Sequence, residues 1–299
     1  MGCLRRDGTW QTVGRAVRGA SHRRNAIPLQ DAIRWFPTEG TGASITLALA
    51  DGHGNPICFR SKRGAEMAVK VATGVLHDFY LQHPREEGPD LQPLAQGLIP
   101  RLLVERWRGS VVSHLHETPL EASELQNVAE KVGLAARRAL EADNVLAYGS
   151  TVLAALATPA YLLLVQLGDG DCLLVSPSGK TTRPWPRDAR LMGVETTSLC
   201  MPEAWKEVRL AVEPVADGSP ALLLLCTDGY SNSFREEEGF MNVGRDFLEL
   251  IRSEGIAWVN DRLDAWLAET TERGSGDDVS VGILWRQDTS SELPVGKNV

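Results

Sequence analysis

Ser150-Thr151-Val152-Leu153-Ala154-Ala155-Leu156, Tyr161-Leu162-Leu163-Leu164-Val165-Gln166-Leu167 and Cys172-Leu173-Leu174-Val175 succeed one another with turn signals at Thr158-Pro159 and Gly168-Asp169-Gly170. Each run has strand length, and neither turn leaves room for a crossover helix, so the stretch predicts an antiparallel meander. A parallel Rossmann sheet fits the sequence poorly for two reasons. The meander has no intervening helices, and no glycine-rich phosphate loop opens a helix after the first strand.

Working outward, Gln11–Gly19 and Ser44–Ala50 read as earlier strands, with a polar, basic loop over Ser21–Pro28. Lys62–Tyr80, Leu94–Leu115 and Ser123–Ala142 carry apolar residues at helical spacing, separated at His83–Pro93 by prolines and a glycine. Downstream, Thr181–Met201 is rich in arginine and proline and predicts an irregular surface segment. Glu207–Val212 and Ala221–Cys226 return to strand. Helices at Val243–Ser253 and Ala257–Thr271 precede a last strand from Val279, and Thr289–Val299 is a polar, frayed tail. Strands, helices, a meander and helices again make an α+β chain with much antiparallel sheet. Residues 1–288 read as one catalytic unit and 289–299 as its tail, because the acids of interest run from the first quarter of the chain to its last tenth.

At 299 residues and 43% hydrophobic, the chain buries a sizeable core. A net charge of −8 argues against a nucleic-acid partner, which demands a basic surface. No apolar stretch is long enough to cross a membrane, and the start lacks a signal region, which predicts a cytoplasmic protein. Cys3, Cys58, Cys172, Cys200 and Cys226 show neither zinc-ligand nor redox-motif spacing.

The chemistry lies at the strand ends. Leu47-Ala48-Leu49-Ala50 runs into Asp51-Gly52, Leu164-Val165-Gln166-Leu167-Gly168 into Asp169-Gly170, and Leu224-Leu225-Cys226-Thr227 into Asp228-Gly229. Gly276-Asp277-Asp278 leads into Val279-Ser280-Val281. One Asp-Gly is an ordinary turn signal. Repeated after long buried runs, the pairs can gather carboxylates at one sheet rim. There they repel one another unless a hard divalent cation such as Mg²⁺ or Mn²⁺ neutralises them.

These motifs, with Gln30-Asp31-Ala32, Ala50-Asp51-Gly52-His53-Gly54 and Tyr148-Gly149-Ser150-Thr151, resemble in their order the metal-dependent serine/threonine phosphatases of type 2C, bacterial members included. The resemblance runs from about Trp10 to Trp285. It implies two antiparallel sheets packed as a sandwich with helices on both outer faces. It also implies two divalent ions, Mn²⁺ or Mg²⁺, with a third, weaker metal site in some members. By that resemblance Asp51 bridges the two ions and the Gly52 carbonyl ligates one. Asp228 and Asp277 complete the pair, Asp31 faces the second ion, and Asp169 assists the third. His53 matches a proposed general acid, and Arg23 or Arg24 is the guanidinium that grips phosphate.

The implied reaction is direct attack of a metal-bridging hydroxide on phosphoserine or phosphothreonine. Phosphorylated proteins are then the substrates, with an opposing serine/threonine kinase as partner. Local readings stay open beside these roles. Gly168-Asp169-Gly170 also suits a tight hairpin, His53 a turn cap, and Arg23-Arg24 a solvated loop. Asp278 reads as solvent-facing or hydrogen-bonded, and His22 as surface or structural. Three departures from the family pattern stand out. Gln30 replaces a common glutamate, Gly170 a common serine, and Asn232 a third-metal acid found in some members. They leave room for a catalytically weak phosphatase-like domain that binds phosphoproteins or regulators. A hydrolase of small phosphoesters would share the same site chemistry.

Overall fold

The structure is a computed structural model that describes residues 9–84, 90–188, 190, 196–216 and 219–287. Its strands are β1 (Trp10–Val17), β2 (Ala32–Phe36), β3 (Thr41–Gly42), β4 (Ile45–Ala50), β5 (Val152–Ala157), β6 (Tyr161–Leu167), β7 (Asp171–Val175), β8 (Thr181–Thr182), β9 (Arg209–Pro214), β10 (Leu222–Cys226) and β11 (Val279–Arg286). Its helices are α1 (Ala20–Arg24), α2 (Ser61–Gln82), α3 (Leu91–Glu117), α4 (Ala122–Lys131), α5 (Leu134–Ala142), α6 (Asp228–Ser231), α7 (Glu237–Glu254) and α8 (Ile256–Arg273).

One sheet has the order β3-β1-β11-β10-β7-β8 and the other β2-β4-β5-β6-β9. Every pairing is antiparallel. The two-residue period of a strand sends alternate side chains to opposite faces, and here both faces are covered. Ile45, Leu47, Leu49, Leu153, Leu162, Leu164, Leu223 and Leu225 fill the space between the sheets. Ala48, Ala50, Val152, Ala154 and Leu163 point outward under α2 and α3. Leu173, Val175, Leu222 and Leu224 do the same under α7 and α8. Double coverage is why these strands read as unbroken apolar runs rather than as alternation. The covering helices match: α2 buries Ala65, Ala68, Val69, Ala72, Val75, Leu76 and Phe79, three or four residues apart.

Several expectations change. The three meander strands do not form one sheet: β5 and β6 pair with each other, whereas β7 pairs with β10 and β8. Gly168-Asp169-Gly170 is therefore a crossover between sheets, not a hairpin. Gly168 at φ 110° takes the left-handed conformation that the change of direction needs. The helix expected over Ser123–Ala142 is two helices, split at Gly133 with φ 110°. The loop expected over Ser21–Pro28 begins inside the five-residue α1. Thr181–Met201 is not all surface, because Ser198, Leu199 and Cys200 are buried and the Leu199 N–H donates to the Ser150 carbonyl at 2.9 Å. The expected frayed tail lies outside the described residues. Among those residues, no helix is long and apolar enough to cross a membrane.

Candidate metal centre

Strand register brings the aspartates together. Ala32 of β2 pairs with Ala50 of β4, so Asp31 and Asp51 sit side by side at one rim of their sheet. In the facing sheet Cys226 pairs with both Asp171 and Val281, which sets Asp228 beside the lead-in to β11. Asp169 rides the crossover between the two sheets. One carboxylate oxygen from each of Asp51, Asp169 and Asp228 lies within 4.8 Å of the others. Asp277 is outside that trio, with its side chain 53% exposed at the edge.

Hydrogen bonds hold the surroundings of the trio. The Asp51 N–H donates to Thr151 Oγ1 at 3.0 Å and its carbonyl accepts from the Thr151 N–H at 2.9 Å, while Gly52 bridges to Ser150. Asp31 is buried, and its Oδ2 accepts from the Thr227 hydroxyl at 2.8 Å and the Ser280 hydroxyl at 2.7 Å, which ties the two sheets together. Asp228 Oδ2 accepts from Asn232 Nδ2 at 3.1 Å, so the amide occupies part of the carboxylate that a third-metal acid would instead have reinforced.

The electrostatics are those of a site built around positive charge. Burial pushes Asp31 up to about 8, against the pull of its two hydroxyl donors, with repulsion from Asp278 and Asp228 adding to it. Asp51 is held well above the carboxylate range by burial and then by Asp31, Asp228, Asp169 and Asp277. Asp228 is pushed up to about 7 by burial and then by Asp169 and Asp277, and burial also raises Asp169. Asp169 Oδ1 is itself buried and makes no well-aligned hydrogen bond among the described residues, although the Thr196 hydroxyl lies close enough to pull its pKa down. A buried carboxylate oxygen without a well-aligned donor is costly unless a cation meets it, and an all-oxygen donor set suits a hard divalent ion. The residues present therefore fit the implied metal pair.

These acids bind protons more tightly in the folded metal-free chain than in the unfolded chain. Stability is then lost as pH rises from the ordinary 3.8 towards about 8. In chelator, the melting temperature should be lower at pH 8 than at pH 5. Added Mn²⁺ should raise it more at pH 8, because binding displaces fewer protons there. Melting curves at the two pH values check this, and a Mn²⁺ effect that is equal or larger at pH 5 contradicts it.

The other expected residues fall in different places. His53 packs beside Gly149, whose carbonyl accepts from the His53 N–H at 3.1 Å. Its Nε2 is buried without a partner among the described residues. Burial lowers its pKa to about 4. The ring is thus uncharged at neutral pH, and the general-acid role requires an anion beside it to raise its pKa. Arg23 is engaged: it donates to the Arg18 carbonyl at 2.6 Å and pairs with Glu272 at 2.9 Å. Arg24 is exposed. Neither lines the cavity of about 390 Å³ that opens beside Asp169, Asp228 and Asn232. Its basic residues are Arg183, Arg187 and Arg209, which the sequence reading did not single out. The density of arginine in Thr181–Met201 was the available signal for the first two, whereas Arg209 stands outside that segment at the start of β9. Asp278 is not solvent-facing but buried, 3% exposed, and accepts from the Gly19 and Gln30 N–H groups at 2.6 Å each.

An α+β sandwich with a carboxylate-only centre at the rim between its sheets is the architecture of a metal-dependent phosphatase. The family model described as protein phosphatase 2C matches residues 18–268, and the chain belongs to that family. Solved structures share the fold. The catalytic domain of the serine/threonine phosphatase PstP, in complex with two manganese ions, is 20% identical. That match covers 94% of this chain and all of that one, with a TM-score of 0.52. Stp1 from Staphylococcus aureus is 17% identical over 93% of this chain and 94% of its own, with a TM-score of 0.54. PppA, a regulatory component of the type VI secretion system in Pseudomonas aeruginosa, is 17% identical over 93% of this chain and 98% of its own, with a TM-score of 0.53. No curated protein matches the chain.

Proposed function

We propose that the chain is a Mn²⁺- or Mg²⁺-dependent phosphatase that removes phosphate from phosphoserine and phosphothreonine in proteins and opposes a serine/threonine kinase. Residues 1–288 act as one catalytic unit in the cytoplasm, in keeping with four free cysteines among the described residues. The observation that carries the reading is the trio of Asp51, Asp169 and Asp228 with its poorly paired carboxylate oxygen. Asp31, Asp51, Asp228, Asp277 and the Gly52 carbonyl hold the two ions, and Asp169 serves a third, weaker one. When bound, a divalent pair supplies Lewis acidity towards the phosphoryl oxygens and renders a water acidic enough to attack phosphorus directly.

The chain's own residues then divide the remaining work. Arg24, or Arg23 after release from Glu272, grips the phosphate oxygens through its planar fork. His53, once the phosphate raises its pKa, gives a proton to the departing serine or threonine oxygen. Hydrolysis of a phosphothreonine peptide and of a small aryl phosphate, each with Mn²⁺ and with chelator, tests the reading. Metal-dependent turnover that favours the peptide is the expected result. Tight phosphopeptide binding without turnover would assign the chain to the phosphoprotein-binding reading, and preference for the small ester to a small-molecule hydrolase.

The peptide flanking the phosphorylated residue would run along the cavity beside Asp169 and Asp228, which residues 183–188 help to line. Arg209 stacks on Trp185 at 5.3 Å and donates to the Pro186 carbonyl at 2.6 Å. Burial lowers its pKa, and it has no carboxylate within ion-pair distance among the described residues. Arg209→Gln should raise KM for an acid-flanked phosphopeptide about tenfold, the scale of one hydrogen bond to a charged group. Turnover of the aryl phosphate should be unchanged. Equal KM values for the peptide in the two proteins would remove this substrate path.

A further inference from the structure

Asp277 is an expected metal acid that lies outside any strand, in the loop that leads into β11. Its side chain is 53% exposed and stands outside the trio. Its Oδ1 accepts from the Asp278 N–H at 2.8 Å and faces His22 Nε2 at 3.3 Å. Both contacts fall on the same oxygen. Oδ2 accepts no hydrogen bond from a described residue, so the carboxylate is turned with one oxygen held and the other free.

The facing group lies close to a second carboxylate. His22 Nδ1 is 2.9 Å from Asp278 Oδ1, within ion-pair distance but outside hydrogen-bond geometry, and the side chain is only 14% exposed. Asp278 cannot give way, because its two oxygens each accept a backbone N–H, from Gly19 and Gln30, at 2.6 Å. The short helix that carries His22 is pinned to the same loop. The Ser21 N–H and hydroxyl both reach the Gly276 carbonyl, at 2.8 and 2.7 Å. Thr271 Oγ1 accepts from the Ala20 N–H at 2.9 Å and donates to the Asp277 carbonyl at 2.7 Å. Among the described residues, His22 is the only basic side chain within ion-pair distance of Asp277 or Asp278.

We propose that His22 is a positioning residue for the metal centre: backed by the buried Asp278, it sets the orientation of Asp277 and presents the free oxygen to the second cation. The assignment rests on the metal reading above. It gives a reason for an imidazole between two adjacent carboxylates, one anchored in the interior and one at the mouth of the site. Outer partners of metal-binding carboxylates set ligand orientation, and their loss costs about 10- to 100-fold in metal affinity.

The two ring nitrogens can be separated. An asparagine amide reproduces the reach of Nδ1 towards Asp278, and a glutamine amide the reach of Nε2 towards Asp277. Calorimetric titration with Mn²⁺ would compare the wild type with His22→Ala, His22→Asn and His22→Gln, alongside melting temperatures in chelator. The expected result is a Mn²⁺ affinity about 10- to 100-fold weaker for His22→Ala and His22→Asn. His22→Gln should stay near the wild type, and His22→Asn should melt near the wild-type temperature. Unchanged affinity in the alanine and asparagine variants overturns the assignment. So does a loss that follows the fall in melting temperature across the three variants, which would make His22 a structural tie. A wild type that binds no Mn²⁺ overturns the metal reading and this assignment with it.

Discussion

Asp228→Asn is expected to cost more turnover than the about 100-fold that removal of an outer partner costs, since it strikes a ligand itself. Asp228 follows β10 after Thr227, opens α6 and shares the trio with Asp51 and Asp169. Its carboxylate is pushed up to about 7 by burial and by Asp169 and Asp277, the direction expected where negative charge is crowded without a cation. Asparagine keeps the shape and removes the charge. The variant should therefore fold, and its metal-free form should be no less stable than the wild type, because one repulsive carboxylate has gone. Phosphate release from a phosphothreonine peptide, read with the melting temperature in chelator, checks both halves. Wild-type turnover in the variant would mean that the metal site lies elsewhere.

Gly229→Ala should break the centre by a different route. A Cβ on Gly229 would stand 2.0 Å from the Asp278 carbonyl oxygen and 3.3 Å from Asp277 Cβ. Both obstacles belong to the β11 lead-in, and backbone has no rotamer with which to move aside. Overpacking of this kind costs about 1–3 kcal/mol and more where the neighbour cannot shift. Relief of the clash parts Asp228 from Asp277. The variant should melt several degrees lower in chelator and recover less of that loss with Mn²⁺ than the wild type does. An unchanged melting temperature would mean that the α6–β11 contact is looser than the structure has it.

Much of the site was legible because its residues announce themselves locally. Asp51 and Asp228 follow apolar runs buried on both faces, and the Asp-Gly pairs mark where those runs must end. Their meeting was legible only through the family resemblance, since partners are set by sheet register and not by turn chemistry. Gly168-Asp169-Gly170 shows the difference: it has the composition of a hairpin, yet the chain changes sheets there. β2 left little strand signal because it is a five-residue edge strand, Ala32-Ile33-Arg34-Trp35-Phe36, that does not alternate apolar with polar residues, and β3 is two residues long. The split at Gly133 was hidden because α4 and α5 continue the same apolar spacing on either side. His22 and Asp278 were passed over for a related reason. They sit 256 positions apart, and their roles come from contacts that no spacing reveals.

The most direct test is the initial rate of phosphate release from a phosphothreonine peptide as free Mn²⁺ is raised from a fully chelated start. The predicted curve begins at zero and climbs at low metal with a log–log slope approaching two, one for each ion of the pair. Turnover that persists in chelator, or none at saturating Mn²⁺ in the folded protein, would contradict a binuclear phosphatase centre built on Asp51, Asp228 and Asp277.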